Sequence, residues 1–295
     1  MPELPEVETV RLGLSQRLVG RVFQAAAVHH PRVARRHPPG GQDLCERLIG
    51  RRCLGVERRG KYLWLPLDDG VDALVAHLGM SGQFRFSDRP VHDHPHLRFD
   101  ARLDDGRWLS FLDQRTFGGL SWDRLRQAPD GRAVPSSLLH IAVDPYETAF
   151  DLDRVVRLVH RRSSAIKRIL LDQTVVSGIG NIYADEALWR ARVHPERSGD
   201  RLAAPAVRDV LTQARTVMAE ALDQGGTSFD ALYVNVNGES GYFERSLAVY
   251  GREAEPCLRC GAPIRRLQFT NRSSFVCQRC QRPPRARGAR SGPIG

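Results

Sequence analysis

The sequence predicts an α+β multidomain fold: a β-rich N-terminal region behind a leading helix, a helical middle, and a small C-terminal metal module. Three observations lead there. Strand signals dominate from about residue 21 to 125, with period-two alternation in LRFDARL, helical periodicity takes over further on, and two CxxC pairs lie near the end. A chain of 295 residues accommodates two or three such units.

The opening MPELPEVETV reads as a helix start, with Pro5 in the first turn and Glu6 and Glu8 at the positive end of the dipole. Val7, Val10, Leu14 and Leu18 then share one face, so a helix is expected over residues 6 to 18, stopped by Gly20. KYLWLPL, a turn at Asp68-Asp69-Gly70, and VDALVAHL form one expected hairpin. LRFDARL alternates Leu97, Phe99, Ala101 and Leu103 before Asp104-Asp105-Gly106 returns the chain into RWLSFL. Together they suggest a sandwich or flattened barrel. The turn-rich segment 126–137 is the expected linker. Beyond it, Leu152, Val155, Val156 and Val159 share a helical face, as do Ile166, Ile169 and Leu170. A long helix is expected over residues 203 to 222. Between them, Ser177-Gly178-Ile179-Gly180-Asn181 reads as a glycine turn opening a helix, whose free N–H groups suit a phosphate.

The net charge of +10, from 44 basic and 34 acidic residues, favours a polyanionic partner. No acidic residue follows Glu255, whereas nine arginines do. Lys61 and Lys167 are the only lysines. In a chain that otherwise writes arginine, they mark places where a compact or deprotonatable cation serves better. No apolar run reaches the ~20 residues of a membrane span. No basic-then-apolar leader is seen either, so a cytoplasmic location without a signal peptide is expected. Cys257/Cys260 and Cys277/Cys280, separated by sixteen residues, have the spacing of a tetrahedral zinc site, with two disulfides as the alternative. The intervening loop carries Arg265, Arg266 and Arg272, a composition suited to DNA backbone contact. Cys45 and Cys53 read as buried thiols.

PELPEVE, RGKYL, HLGMSG, DQRTFG, IKRILLDQ, SGIGNIYADE, GGTSF, GYF, VYGR and the CxxC pairs occur in this order. Through them nearly the whole chain resembles the formamidopyrimidine-DNA glycosylase family, bacterial base-excision repair enzymes for oxidised purines. Two departures, DQR for DPR and Asn271-Arg272 for Gly-Arg, remove no chemical group the family uses. The resemblance implies an N-terminal β-sandwich catalytic domain (1–130), a helix–two-turn–helix DNA-binding domain (131–228) and a lesion-covering loop with its connection (229–250). It further implies a zinc-ribbon β-hairpin (251–282) and a basic, disordered tail (283–295). The loop proper matches residues 229–242.

The resemblance also implies roles. Once Met1 is removed, the secondary amine of Pro2 attacks the deoxyribose C1′. Glu3 acts as general acid, Glu6 supports the amine, and Lys61 serves as acid or phosphate partner. Lys61, His77, Asn181 and Arg272 gather phosphates around the flipped nucleotide. His94, Arg115, Arg162 and Lys167 match further DNA-contacting positions, and Met80, Arg115 and Phe117 fill the vacated stack. One structural Zn²⁺ is implied on Cys257, Cys260, Cys277 and Cys280. The implied partner is double-stranded DNA carrying oxidised bases or abasic sites, bound by a monomer that is cytoplasmic and nucleoid-associated. The activity implied is a glycosylase and AP lyase working by β,δ-elimination. Two alternatives remain: an endonuclease VIII-like enzyme for oxidised pyrimidines, whose members typically begin PEGPE where this chain has Leu4, and a non-catalytic zinc DNA-binding protein.

Overall fold

The computed structural model describes residues 2–225 and 246–284. The loop expected over 229–242 and nearly all of the basic tail lie outside the described residues. The chain divides into two compact units. The first comprises Met1–Asp151, Asp172–Gly180 and Arg215–Ser246; the second comprises Leu152–Leu171, Asn181–Ala214 and Leu247–Gly295.

The first unit begins with helix α1, Leu4–Leu18. Glu3 occupies its N-cap in a reciprocal capping box with Glu6, and the Glu3 N–H donates to Glu6 Oε2 at 2.8 Å. Val7, Val10, Leu14 and Leu18 form the buried face expected of the sequence, and Leu4 extends it. Eight strands in two sheets, and a ninth discussed below, follow: β1 (Phe23–Val28), β2 (Glu57–Arg59), β3 (Tyr62–Pro66), β4 (Asp72–His77), β5 (Gly82–Ser87), β6 (Leu97–Leu103), β7 (Trp108–Asp113) and β8 (Gly119–Gln127). One sheet has the order β1-β6-β7-β5. The other runs β2-β3-β4-β8 and then into the ninth strand. Both expected hairpins form, β3 with β4 and β6 with β7. The period-two pattern places Phe23, Phe84, Phe99 and Phe111 of the first sheet in one core with Leu63, Leu65, Leu74 and Leu120 of the second. Each fully buried side chain of this size contributes about 1.5–3 kcal/mol relative to exposure.

Two sequence expectations change here. Segment 126–137 is not a linker. Strand β9 (Ala133–Pro135) pairs antiparallel with β8, and Val134 is fully buried against Trp64, Ala73 and Leu138. The Pro-Asp-Gly signal marks the turn of a hairpin, with Gly131 at φ +83. Polar turn chemistry looks the same in both settings. Segment Gly41–Leu48, within the stretch read as mostly strand, forms helix α2. Leu44, Cys45 and Leu48 pack inward at i, i+1 and i+4, too short a run for periodicity to expose. Cys45 and Cys53 are buried free thiols, as expected.

In the second unit, α3 (Leu152–His160) and α4 (Ile166–Leu170) carry the apolar faces read from the sequence, and α5 (Asn181–Arg190) is the helix expected after the glycine turn. Helix α6 spans Ala204–Asp223, its residues up to Ala214 counted in this unit and those from Arg215 in the first. Strands β10 (Arg265–Phe269) and β11 (Arg272–Val276) form the C-terminal hairpin. The buried carboxylate of Glu186 accepts from the N–H groups of Ala248, Val249 and Tyr250, at 2.8–3.1 Å, which ties α5 to that segment. No described helix is long and apolar enough to cross a membrane.

Candidate active site and metal centre

Pro2, Glu3 and Glu6 are all buried at the head of α1. Glu3 Oε2 accepts from the Gly180 N–H at 2.8 Å, and the Leu4 N–H donates to the Gly178 carbonyl at 3.1 Å. The Gly178 N–H donates to Gln173 Oε1 at 2.9 Å. Thus the glycine turn does not hold these N–H groups open for a phosphate, as its sequence suggested. It uses them to fix the chain start. Gly180 is required by the close approach, because a Cβ there would lie 2.2 Å from Glu3 Cδ.

The same segment meets the turn that precedes Lys61. Gly60 turns the chain between β2 and β3 at φ +55, and a Cβ on it would lie 2.7 Å from Ser177. The turn is held by buried Asp144, whose Oδ2 accepts from the Gly60 N–H at 2.9 Å and from Arg58 Nη1 at 2.6 Å. Lys61 is buried beside it. Residues 177–180 therefore touch both the chain start and the turn at Gly60, the residue before the only lysine of this unit. A carboxyl group oriented by a backbone N–H and a confined ammonium suit proton transfer and anion binding.

His77 ends β4, its ring 4.8 Å from that of Tyr62. Nδ1 accepts from the Gly79 N–H at 3.1 Å, leaving the ring proton on Nε2. Burial, then Arg36, Lys61 and Arg35, push its pKa down to about 4, so at neutral pH it is an uncharged donor. A depressed folded-state pKa means that the unfolded chain takes up the proton first. His77's contribution to stability is therefore intact above pH ~6.5 and lost as pH falls toward about 4. We expect His77→Gln to flatten the fall in urea midpoint across that window; an unchanged slope would locate the titrating group elsewhere.

Two tight turns stand back to back beyond His77. Gly79, at φ +63, leaves no room for a Cβ, which would fall 2.3 Å from the Phe117 carbonyl carbon. Met80 is half-buried on the first turn; Arg115 and Phe117 are exposed on the second. Phe117 is 42% exposed and therefore outside the core, with the Arg115 guanidinium 5.6 Å from its ring centroid. Thr116 between them sits at φ +55, a strained value for a β-branched residue. Asp113 and Ser81 hold the inner side: Asp113 accepts from Ser81 Oγ at 2.5 Å and from the Gly118 N–H at 2.7 Å, and Ser81 Oγ accepts from the Arg115 N–H at 3.0 Å. Arg35 holds the outer side, donating to the Thr116 and Phe117 carbonyls at 2.7 and 2.6 Å. Sequence reading missed Arg35, since one arginine among so many carries no signal. His94 is exposed beside His96; partial burial and then His96, Arg85 and Arg98 lower its pKa.

In the second unit Lys167 is wholly buried. Its ammonium pairs with Asp185 at 2.7 Å, donates to the Ser273 carbonyl at 3.3 Å and lies 5.4 Å from the Phe269 ring centroid. Asp185 also accepts from Ser274 Oγ and the Phe275 N–H. The ammonium is enclosed and braces the hairpin in this structure. Asn181 Nδ2 donates to the same Ser273 carbonyl at 3.0 Å, while its Oδ1 is buried without a hydrogen bond. Arg272 is exposed at the start of β11, next to the carbonyl these groups hold. Arg162 is half-buried between α3 and α4.

The four sulfurs of Cys257, Cys260, Cys277 and Cys280 lie within 4.8 Å of one another. Tetrahedral Zn–S bonds of ~2.3 Å require S···S separations of about 3.8 Å. The Cys260–Cys277 and Cys257–Cys280 distances are 3.5 and 4.0 Å. Trp189 Nε1 donates to Cys257 Sγ at 3.4 Å, and Gln281 joins Cys277 to the Val193 carbonyl, seating the module on α5. The cysteines and the donors that flank them fit one structural zinc ion.

A β-sandwich with a buried acidic chain start, a helical unit and a four-cysteine hairpin define a zinc-finger protein of DNA-glycosylase type. Family profiles agree: residues 1–120 match the formamidopyrimidine-DNA glycosylase N-terminal domain, 141–231 its H2TH domain, and 254–283 the zinc finger found in FPG and IleRS. The formamidopyrimidine-DNA glycosylase of Rhodococcus opacus (strain B4) is 58% identical over 290 residues, covering 98% of this chain and 100% of that protein. That of Mycobacterium avium (strain 104) is 58% identical over 285 residues, covering 97% and 100%. Among solved structures, the MutM (Fpg) protein of Thermus thermophilus superposes with TM-score 0.81 at 37% identity, covering 95% of this chain and 98% of that one. Lactococcus lactis Fpg bound to Fapy-dG-containing DNA gives 0.81 at 30% identity, covering 95% and 100%. The chain belongs to the formamidopyrimidine-DNA glycosylase family.

Proposed function

We propose that this protein is a DNA glycosylase with AP lyase activity that excises oxidised purines from duplex DNA, with the Pro2 amine as nucleophile. The observation that carries the reading is the fixing of Glu3 by Gly180, on the segment that also abuts the Lys61 turn. The Pro2 nitrogen lone pair attacks C1′ and the N-glycosidic bond breaks, its electron pair leaving with the base, which takes up the proton that the Pro2 nitrogen gives up. Glu3 supplies a proton to O4′ as the sugar ring opens, giving an iminium. Loss of the C2′ proton then expels the 3′ phosphate, and a second elimination expels the 5′ phosphate. Lys61 and neutral His77 donate to phosphate oxygens in the first unit; Asn181 and Arg272 do so in the second. Flipping costs a few kcal/mol, least for a damaged base.

Met80, Arg115 and Phe117 fill the stack. Phe117 suits a wedge, and the Arg115 fork suits the O2 and N3 acceptors of an orphaned cytosine better than adenine. Arg35 keeps the strained turn in place. One hydrogen bond has a net worth of about 1 kcal/mol, or ~5-fold. Arg35→Ala is therefore expected to narrow the preference for cytosine over adenine by about that factor. It should also shift 2-aminopurine fluorescence beside the lesion while the thermal midpoint barely moves. An unaltered preference would leave Arg35 a surface residue only.

Borohydride trapping tests the whole reading. Duplexes with 8-oxoguanine opposite cytosine should cross-link to the chain more rapidly than duplexes with an oxidised thymine. The reverse order would favour the pyrimidine-directed reading, and binding without any cross-link would favour the non-catalytic one.

A further inference from the structure

A second cluster of ligand-type side chains lies in the first unit, apart from the cysteines and from the chain start. His29 follows the end of β1, Asp100 lies on β6 beside it, and His92 belongs to the segment between β5 and β6. Asp100 is 1% exposed, which is costly for a carboxylate unless a cation or donors compensate. His29 Nε2 stands 3.1 Å from Asp100 Oδ1, and His92 Nε2 stands 3.1 Å from Asp100 Oδ2. Yet Oδ2 is buried and accepts no hydrogen bond. The imidazole of His92 comes close without the alignment that a shared proton needs. The two ring centroids are 5.6 Å apart, and Trp108 packs edge-on to His92 at 5.7 Å. One ligand atom from each of the three residues falls within a 4.8 Å circle.

We infer that His29, His92 and Asp100 form a second metal site, for a single divalent transition ion of the zinc class. Metal–ligand bonds of about 2.0–2.2 Å at tetrahedral angles separate donor atoms by ~3.3 Å, close to both His–Asp distances. Two imidazoles select zinc, cobalt or nickel over calcium or magnesium, which prefer all-oxygen shells. The side chain of His92 is 55% exposed and that of His29 32%, so water completes the coordination from the open side. The ion would neutralise the buried carboxylate. It would also pin the segment between β5 and β6 to the sheet two residues before His94. Because all three ligands belong to one unit and none to the chain start, the inference stands independently of the reaction proposed above.

The full-length protein, with its cysteine site filled, is titrated with Zn²⁺ and separately with Co²⁺. The expected result is one further equivalent per chain, raising total zinc from one to two. With Co²⁺ the added ion gives weak visible bands without the intense thiolate charge-transfer absorption of a four-sulfur site. Asp100→Asn and His29→Ala should each weaken this second equivalent at least tenfold and leave the first in place. A double substitution of His94 and His96 should leave both in place. No second equivalent at tens of micromolar metal would overturn the inference. So would a second equivalent that survives loss of Asp100 and His29 but disappears with His94 and His96, which would be adventitious binding to a histidine-rich surface. Circular dichroism of each variant separates lost binding from lost fold; if Asp100→Asn unfolds, the exposed His29→Ala and His92→Ala variants decide the matter.

Discussion

Gly180→Ala is expected to reduce base excision by about 10²–10⁴-fold, the range ascribed to one positioned acid, while DNA binding and zinc content stay near wild type. The added methyl would sit 2.2 Å from Glu3 Cδ and 2.4 Å from Glu3 Oε1. A side-chain tip yields more readily than backbone does, so the clash resolves by expelling the carboxylate from its seat on the Gly180 N–H. That displacement costs little stability. A 1 Å misplacement of a reacting group, however, is enough to lose ~100-fold in rate. Gly178→Ala is the instructive contrast. Its φ is +91 and its Cβ would meet Leu4, so the same methyl there should lower the thermal midpoint as well as activity. Excision kinetics on an 8-oxoguanine duplex, with binding measured on an uncleavable abasic analogue, check both. Wild-type excision by Gly180→Ala would remove Glu3 from the mechanism.

A chain that retains Met1 should form no borohydride-trappable adduct, and Pro2→Gly should lose most excision while still binding DNA. An α-amine has a pKa of roughly 7.7–8.0 and is therefore partly unprotonated at neutral pH without a dedicated base. A retained Met1 turns the Pro2 nitrogen into an amide, which has no available lone pair for C1′. Glycine keeps a terminal amine but gives up the ring that fixes its direction, and the loss should fall mainly on the chemical step. Mass spectrometry of the N-terminus alongside the trapping assay decides the point. Adducts formed by the Met1-retaining chain at the wild-type rate would assign the nucleophile elsewhere, with Lys61 as the next amine to examine.

Much of this architecture was legible in the sequence because it rests on local patterns. The helix read over 6–18, both hairpins and the cysteine module follow from periodicity, turn residues and metal-ligand spacing, all of which act over a few positions. Motif order along the chain carried the family and the names of the site residues. Long-range geometry was not legible. The sequence offered the glycine turn as a phosphate cradle; the fold commits its N–H groups to Glu3 and Gln173. Lys167 stood out as a rare lysine and a candidate DNA contact, and its enclosure with Asp185 is visible only in the fold. Arg35 had no distinguishing mark at all until its guanidinium was placed on the Thr116 and Phe117 carbonyls.

By itself, the sequence determined which residues are able to act: a secondary amine once Met1 is gone, its neighbouring carboxylates, two lysines and four cysteines. Only the tertiary structure decided which of them are oriented and which enclosed. Chemical identity is a property of each residue alone, whereas burial and hydrogen-bond partners depend on segments that lie far apart in the chain. Glu3 and Gly180 are separated by 177 positions yet joined by a 2.8 Å hydrogen bond, and no local pattern at either end encodes the other.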